Sequence, residues 1–222
     1  MNNQNQKPLI FSIIILSIVI LFLGYFLIKN PSQGPSDSSQ TASVNNNTTS
    51  NPHDHSGAST PVNSEQLNSL IGKTMPSISL TDKDGKVYTT NDFKGKNTVL
   101  FFNEGLMCYP ACWNQMAAFG DDARFSNDTT QAISVVVDSA EDWQTAIDKM
   151  PELAKTLTMF DANANTSREL GLLTTASSMH RGSLPGHTYI VIDKEGIVRY
   201  VFDDPNMAIA NDMLFDIIGE LK

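Results

Sequence analysis

The sequence predicts an α/β domain, because strand and helix patterns alternate from residue 65 onward. Two neighbouring features carry most of this prediction: a continuous apolar β run at residues 98–102 and a helical pattern at 110–119 that follows it. A run that is apolar at every position is typical of a strand buried on both faces. We therefore expect a sheet that is covered by helices on both sides.

An apolar segment precedes this domain. Residues 9–28 carry no charge and are dominated by Ile, Leu, Val and Phe, and as a helix they would span about 30 Å of hydrocarbon. No small-residue cleavage site follows, so the pattern favours an uncleaved anchor over a signal peptide. Lys7 on one side and Lys29 on the other give only a modest orientation signal. We expect a short cytoplasmic terminus at 1–8, a single-pass anchor in the cell membrane and an extracytoplasmic C-terminal domain.

The anchor and the domain are separated by a polar segment. Residues 30–64 are almost all Asn, Ser, Thr, Gly, Pro and Gln, a composition that predicts a disordered linker. Residues 65–222 are enough for one sizeable core but not for two. The net charge of −9, with no dense cluster of Lys and Arg, argues against nucleic acid as a partner.

The remaining elements of the domain follow from turn signals and periodicity. Short strands at 78–80 and 87–89 flank Asp84-Gly85 and predict an N-terminal β-hairpin. The middle of the domain continues the alternation with a strand at 133–137, a helix at 141–150, a short strand at 158–161 and a helix at 167–172. A second hairpin is predicted at 188–192 and 198–202, and a C-terminal helix at 207–221 that packs on the sheet.

The two cysteines of the chain, Cys108 and Cys112, lie where the buried strand passes into the helix. Two cysteines this close do not form a framework that staples loops together. The positive end of a helix dipole stabilises a thiolate, which attacks disulfides and peroxides and binds soft metals. If Cys108 lies in the loop and turns back over the first helical turn, the pair can form a disulfide reversibly. A reactive dithiol is therefore expected, and a static surface disulfide is the alternative.

Several segments in a fixed order resemble the redoxin branch of the thioredoxin superfamily. They are IGKTMP at 71–76, LTDKDGK at 80–86, FKGK at 93–96, CYPACW at 108–113 and YIVIDKEG at 189–196. This branch includes the alkyl hydroperoxide reductase/thiol-specific antioxidant (AhpC/TSA) proteins, TlpA-like oxidoreductases and Sco-type copper proteins. The resemblance covers nearly all of residues 70–220. It implies a thioredoxin-like fold, with a central mixed sheet flanked by helices and an N-terminal β-hairpin.

The residues around the cysteines resemble each branch only in part. Pro110 and Cys112 are similar to the peroxiredoxin motif, which implies that Cys112 is the peroxidatic thiol. Tyr109, however, stands where peroxiredoxins have Thr or Ser, and His187 stands where they have an activating Arg. A peroxide site needs donors that polarise the O–O bond, and Arg181 is the candidate replacement. TlpA-like proteins have a two-residue spacer between their cysteines, whereas this chain has three.

Sco-type proteins share the three-residue spacer, and their distal His is similar to His187. Together with Cys108 and Cys112 it would form a soft site of two sulfurs and one nitrogen that suits Cu(I). His187 could otherwise be a proton shuttle beside the thiols or a polar loop residue. Glu104, in the loop before the cysteines, could accept a proton during exchange if it is partly buried, but a solvated loop carboxylate is the simpler interpretation.

The sequence thus predicts a membrane-anchored, extracytoplasmic thiol redox enzyme, either a thiol-disulfide oxidoreductase or a peroxiredoxin-like antioxidant. Cys108 and Cys112 are the predicted catalytic pair, with His187 and Glu104 as supporting residues. The enzyme would need no cofactor and would react with a thiol or disulfide partner protein or with a peroxide. The alternative is a Sco-like copper-binding assembly factor that holds the metal with Cys108, Cys112 and His187. A redox sensor without turnover is a third hypothesis.

Overall fold

The computed structural model describes residues 64–221, which contain seven strands and five α-helices. The strands are β1 (Ser79–Thr81), β2 (Val87–Thr89), β3 (Asn97–Phe102), β4 (Thr130–Val136), β5 (Leu157–Phe160), β6 (Thr188–Ile192) and β7 (Val198–Asp203). The helices are α1 (Ser64–Asn68), α2 (Ala111–Asp121), α3 (Ala140–Lys149), α4 (Asn165–Glu169) and α5 (Asn211–Gly219). A 3-10 turn, Gly105–Cys108, connects β3 to α2.

The strands form one mixed sheet in the order β2-β1-β5-β4-β3-β6-β7. Strands β3, β4 and β5 are parallel to one another, whereas β1–β2, β1–β5, β3–β6 and β6–β7 pair antiparallel. Every residue of β3 is buried, as the continuous apolar run predicts. The mixed sheet, the N-terminal hairpin β1–β2 and the later hairpin β6–β7 are therefore confirmed.

The two faces of the sheet carry separate apolar cores, because successive side chains of a strand point to opposite faces. Val99 and Phe101 of β3 pack into a core that also contains Trp113 of α2 and Leu214 of α5. The alternate side chains, such as Leu100, pack into the opposite core with residues of α1 and of the segment after α4. Cys108 and Cys112 belong to the first core, so the cysteine segment, α2 and α5 share one face of the sheet.

Two predicted helices have different bounds in the structure. The helix predicted at 167–172 lies at Asn165–Glu169, and a separate 3-10 turn follows at Leu172–Thr174. The helix predicted at 207–221 begins only at Asn211. Before it, the Asp204 carboxylate accepts hydrogen bonds from the backbone N–H groups of Asn206 and Ala208, at 2.9 Å each. This side chain competes with helical bonding, so the apolar spacing of the segment overestimates the helix.

The predicted cytoplasmic terminus at 1–8, the anchor at 9–28 and the linker up to residue 63 lie outside the described residues. Within residues 64–221, no helix has both the length and the hydropathy to cross a bilayer. The predictions for the N-terminal part of the chain therefore stay predictions.

Candidate active site

The site begins where β3 ends. The chain leaves the sheet after Phe102, forms the 3-10 turn that ends at Cys108, and enters α2, whose second residue is Cys112. Cys108 and Cys112 form a disulfide with a Cα–Cα distance of 5.4 Å. Their residues are only 2% and 0% exposed. The bridge is therefore formed as the spacing predicts, but it lies within the core rather than on the surface.

His187 lies beside this disulfide. It directly precedes β6, it is fully buried, and its Nδ1 atom is 3.5 Å from the Sγ atom of Cys112. The ring also contacts Phe101 edge-on, with 4.6 Å between the ring centroids. The potential ligand atoms of Cys108, Cys112 and His187 all lie within 4.8 Å of one another. The fold thus brings together the three residues that both hypotheses invoke, and the role of each remains a prediction.

Burial determines the charge state of this pocket. Desolvation lowers the pKa of His187 from 6.5 to about 4, against the opposing effects of Asp204, the backbone of Ala208 and Asp203. Burial likewise raises the pKa of Tyr189 well above its usual range. Near pH 7 the imidazole and the phenol are therefore both neutral.

A buried polar chain extends from His187 away from the sulfurs. The Nε2 atom of His187 is 2.7 Å from the Tyr189 hydroxyl, which donates to Oε1 of Gln115 at 3.1 Å. The backbone N–H of Ala210 donates to the same Oε1 atom at 2.7 Å. Tyr189 and Gln115 are absent from the predicted site residues. The available signal was Gln115 itself, a polar residue three positions after Cys112 on the apolar face of α2.

Glu104 is buried rather than solvated, with only 1% of the residue exposed. Its Oε1 atom accepts from the backbone N–H groups of Met179 and His180 at 2.6 and 2.9 Å. Its Oε2 atom lies 2.8 Å from Nδ1 of His180. The expectation of a solvated loop carboxylate is wrong, because the loop after α4 folds over Glu104 and uses it as a common acceptor. Glu104 thus anchors the segment that leads to His187.

Arg181, the candidate replacement for the peroxiredoxin arginine, is exposed and donates to the carbonyl of Ala176 at 3.3 Å. The turn before the cysteines is held by other groups. The backbone N–H of Leu106 donates to Asp138 at 3.1 Å, and the indole N–H of Trp113 donates to the carbonyl of Gly105 at 3.0 Å. The cationic side chain therefore lies at the surface, while the buried pocket presents a neutral His187 to the sulfurs.

The sequence model of the redoxin family matches residues 70–214, which is more than half of the chain. The chain belongs to the redoxin family. The resemblance to the redoxin branch of the thioredoxin superfamily is thus confirmed, and the matched residues include the cysteine pair and His187 of this redoxin.

Named relatives of this redoxin are plant peroxiredoxins. The chloroplastic peroxiredoxin Q of Triticum aestivum is 32% identical over 139 residues, which cover 60% of this chain and 58% of the wheat protein. The chloroplastic peroxiredoxin Q of Sedum lineare is 31% identical over 139 residues, which cover 60% of this chain and 68% of that protein. This redoxin therefore spans little more than half the length of the wheat relative.

Solved structures show the same fold. A peroxiredoxin-like protein from Aquifex aeolicus superimposes with a TM-score of 0.57 at 17% identity, covering 68% of this redoxin and 87% of that chain. The peroxidoxin BcpB of Mycobacterium tuberculosis superimposes with a TM-score of 0.56 at 18% identity, covering 68% of this redoxin and 97% of that chain. At such identities the likeness concerns the fold, and it agrees with the thioredoxin-like arrangement that the sequence predicts.

Proposed function

We propose that this redoxin is a thiol-dependent oxidoreductase in which Cys108 and Cys112 alternate between a dithiol and a disulfide. The observation that carries the proposal is the Cys108–Cys112 bridge at the start of α2, with the Nδ1 atom of His187 3.5 Å from the Cys112 sulfur. A helix N-terminus favours a thiolate, and a neutral imidazole beside it can accept the thiol proton. Membership of the redoxin family supports the same chemistry.

The proposed reaction with a peroxide balances on the two sulfurs. The Cys112 thiolate attacks one peroxide oxygen, the O–O bond breaks, and the leaving oxygen takes up a proton to form water or an alcohol. The sulfenic acid on Cys112 then condenses with the Cys108 thiol, which forms the disulfide and releases a water molecule. A dithiol partner returns two electrons and two protons, and becomes a disulfide itself. Cys112 is assigned the attack because Pro110 and Cys112 resemble the peroxiredoxin motif.

Exchange with a partner protein would use the same pair. Met107 and Tyr109 flank Cys108 and are 57% and 68% exposed, although both are large apolar side chains. Exposed apolar side chains beside a redox-active sulfur favour contact with another protein. Thiol-disulfide exchange with a partner is therefore part of the proposed function.

Thiol titration with hydrogen peroxide tests this proposal. The reduced full-length chain should lose two thiols for each peroxide consumed, and Cys108→Ser should stop at a sulfenic acid on Cys112 that dimedone captures. Cys112→Ser should abolish the reaction. Ser183→Ala, at an exposed position, is the control variant. Unchanged peroxide consumption in Cys112→Ser would rule out the assignment.

Copper binding is a second candidate function, favoured by the spacing of at most 4.8 Å among the ligand atoms of Cys108, Cys112 and His187. Only the reduced pair offers thiolates, which together with an imidazole suit Cu(I). An anaerobic Cu(I) titration of the reduced chain should then show one-to-one binding that weakens at least about tenfold in His187→Ala. His180→Ala, which removes a half-exposed imidazole, is the control. Weak binding, or binding that does not depend on His187, would exclude this function.

We also propose that residues 9–28 anchor the chain in the cell membrane with its C-terminal domain outside the cytoplasm. The support is the uncharged apolar segment and the polar linker that follows it. Where an outer membrane or wall would block access to the cell membrane, it is permeabilised first. Protease added to these cells should degrade the redoxin domain and spare a cytoplasmic control protein. Protection of the domain until the membrane is lysed would contradict this topology.

A further inference from the structure

We propose that Gln115 and Tyr189 are positioning residues that hold the His187 ring in one neutral tautomer. In this tautomer Nε2 carries the proton, and the unprotonated Nδ1 atom faces the Cys112 sulfur. The inference deepens the proposed function and rests on it, because an unprotonated Nδ1 is what a thiol proton or a copper ion would require.

The orientation of the Gln115 amide follows from its partners. The backbone N–H of Ala210 can only donate, so the atom 2.7 Å away must be the oxygen Oε1. The amide nitrogen then donates to Oδ1 of Asn211 at 2.8 Å. The Asn211 amide is oriented in turn, because its nitrogen donates to the Ala118 carbonyl and to the Asp122 carboxylate, at 3.0 Å each. Exchanging the oxygen and nitrogen of either amide would therefore place two donors or two acceptors against each other.

The direction of the next two hydrogen bonds follows. Because Oε1 of Gln115 can only accept, the Tyr189 hydroxyl donates its one hydrogen to that oxygen, at 3.1 Å. Its oxygen can then only accept from His187, so Nε2 carries a hydrogen across the 2.7 Å contact. A neutral imidazole has one N–H, and this ring is 0% exposed with no carboxylate among its described hydrogen-bond partners, so burial favours the neutral form. Nδ1, 3.5 Å from Sγ, is therefore left without a proton.

Burial limits the competing partners of this chain, because apart from the Ala208 backbone the described contacts of the ring nitrogens are Tyr189 and Cys112. Gln115, His187 and Tyr189 are each 0% exposed, so water does not compete for their hydrogen bonds. With the disulfide reduced, the Cys112 thiol can donate a hydrogen bond to Nδ1, and the negative charge of a thiolate 3.5 Å away would favour transfer of that proton to Nδ1. The opposite tautomer would point an N–H at the sulfur and could not accept that proton.

Nitrogen-15 NMR of the histidine rings tests the inference. The reduced full-length chain, labelled at histidine and held in detergent micelles, should show the His187 ring protonated at Nε2, with its signals assigned by their loss in His187→Gln. In Gln115→Leu the Tyr189 hydroxyl is free to donate to Nε2, so the ring proton should move to Nδ1. Tyr189→Phe keeps the aromatic ring of residue 189 and removes its hydroxyl. The His187 ring should then no longer be protonated at Nε2 alone.

Tyr200→Phe is the matched control, because the Tyr200 ring lies 6.3 Å from Phe202, which stacks on Tyr189, and Tyr200 has no hydrogen bond to His187 among the described contacts. It should leave the ring pattern unchanged. A proton on Nδ1 in the unmodified chain would overturn the inference, because the Ala208 backbone rather than Tyr189 would then set the tautomer. An unchanged ring pattern in both Gln115→Leu and Tyr189→Phe would overturn it as well.

Peroxide oxidation of the reduced pair, measured on the same samples, separates this inference from the proposed function. Loss of the favourable tautomer should slow oxidation about tenfold or more in Gln115→Leu and Tyr189→Phe, and Tyr200→Phe should react like the unmodified chain. An unreactive unmodified chain with the expected tautomer responses would refute the peroxidase function and support the positioning role. If the unmodified chain reacts, and neither Gln115→Leu nor Tyr189→Phe changes the oxidation rate or the NMR pattern of the His187 ring, the positioning role alone is refuted.

Discussion

His187 and Cys112 lie 75 positions apart in the sequence, yet Nδ1 of one is 3.5 Å from Sγ of the other. Strand pairing explains the contact. Thr188 of β6 pairs with Phe102 of β3, and the 3-10 turn that ends at Cys108 begins three residues after Phe102, at Gly105. The residue before β6 and the start of α2 therefore meet at the same end of two neighbouring strands.

The buried neutral imidazole should make stability depend on pH. The pKa of His187 is about 4 in the folded chain and about 6.5 when unfolded, so below pH 6.5 the unfolded state binds a proton that the folded state does not. The free energy of unfolding should therefore fall as the pH drops from about 6.5 to 4, by about 2 to 3 kcal/mol in total. Urea unfolding of His187→Gln should lack this part of the acid destabilisation. Equal losses in the two proteins would contradict the prediction.

Reduction of the disulfide should leave the domain folded. The bridge joins residues only four positions apart, and the chain-entropy model assigns such a short loop about 2 kcal/mol of stabilisation. This is less than the 5 kcal/mol or more that is typical of domains. Urea unfolding of the oxidised and the reduced protein should differ by no more than this amount. A reduced protein that is unfolded without denaturant would be incompatible with a reversible redox couple.

Removal of the Glu104 carboxylate should loosen the loop that leads to His187. In Glu104→Ala the N–H groups of Met179 and His180 lose their acceptor, which should cost about 3 kcal/mol and speed their hydrogen exchange. Glu104→Gln keeps an oxygen at Oε1, so it should protect both amides and remove only the negative charge beside the His180 ring. Glu152→Ala, at an exposed position, serves as the control. Equal exchange in all three variants would show that Glu104 does not anchor the loop.

Gly105 should tolerate no side chain. Its φ of +57° is left-handed, and an added Cβ would lie within van der Waals overlap of the Asp138 carboxylate. Gly105→Ala should therefore cost at least about 2 kcal/mol in unfolding free energy. Gly219→Ala, at the end of α5 with no atom within 4 Å of the added Cβ, should be neutral or slightly stabilising. Similar stabilities for the two variants would contradict this account.

The local features of the fold could be predicted because neighbouring residues decide them. The apolar run of β3 is buried on both faces, and the Asp84-Gly85 turn forms a hairpin in which Gly85 adopts a φ of +79°. The position of the cysteines between β3 and α2 is equally local. Helix ends were less predictable, because the Asp204 side chain redirects the backbone before α5.

The partners of buried polar groups depend on contacts between distant segments. Hydrophobic periodicity indicates which face of an element is buried, but a hydrogen-bond partner is selected by whatever the fold packs against that face. Gln115 could thus be recognised as a polar residue on an apolar stripe, whereas its contact with Tyr189 requires α2 to lie across β6. The same is true of Glu104, because the N–H groups that donate to it reach it only when the loop after α4 closes over it. Residue order is therefore sufficient for the strands, the turns and the dithiol, and only packing in three dimensions places His187 in its protonation state beside the sulfur.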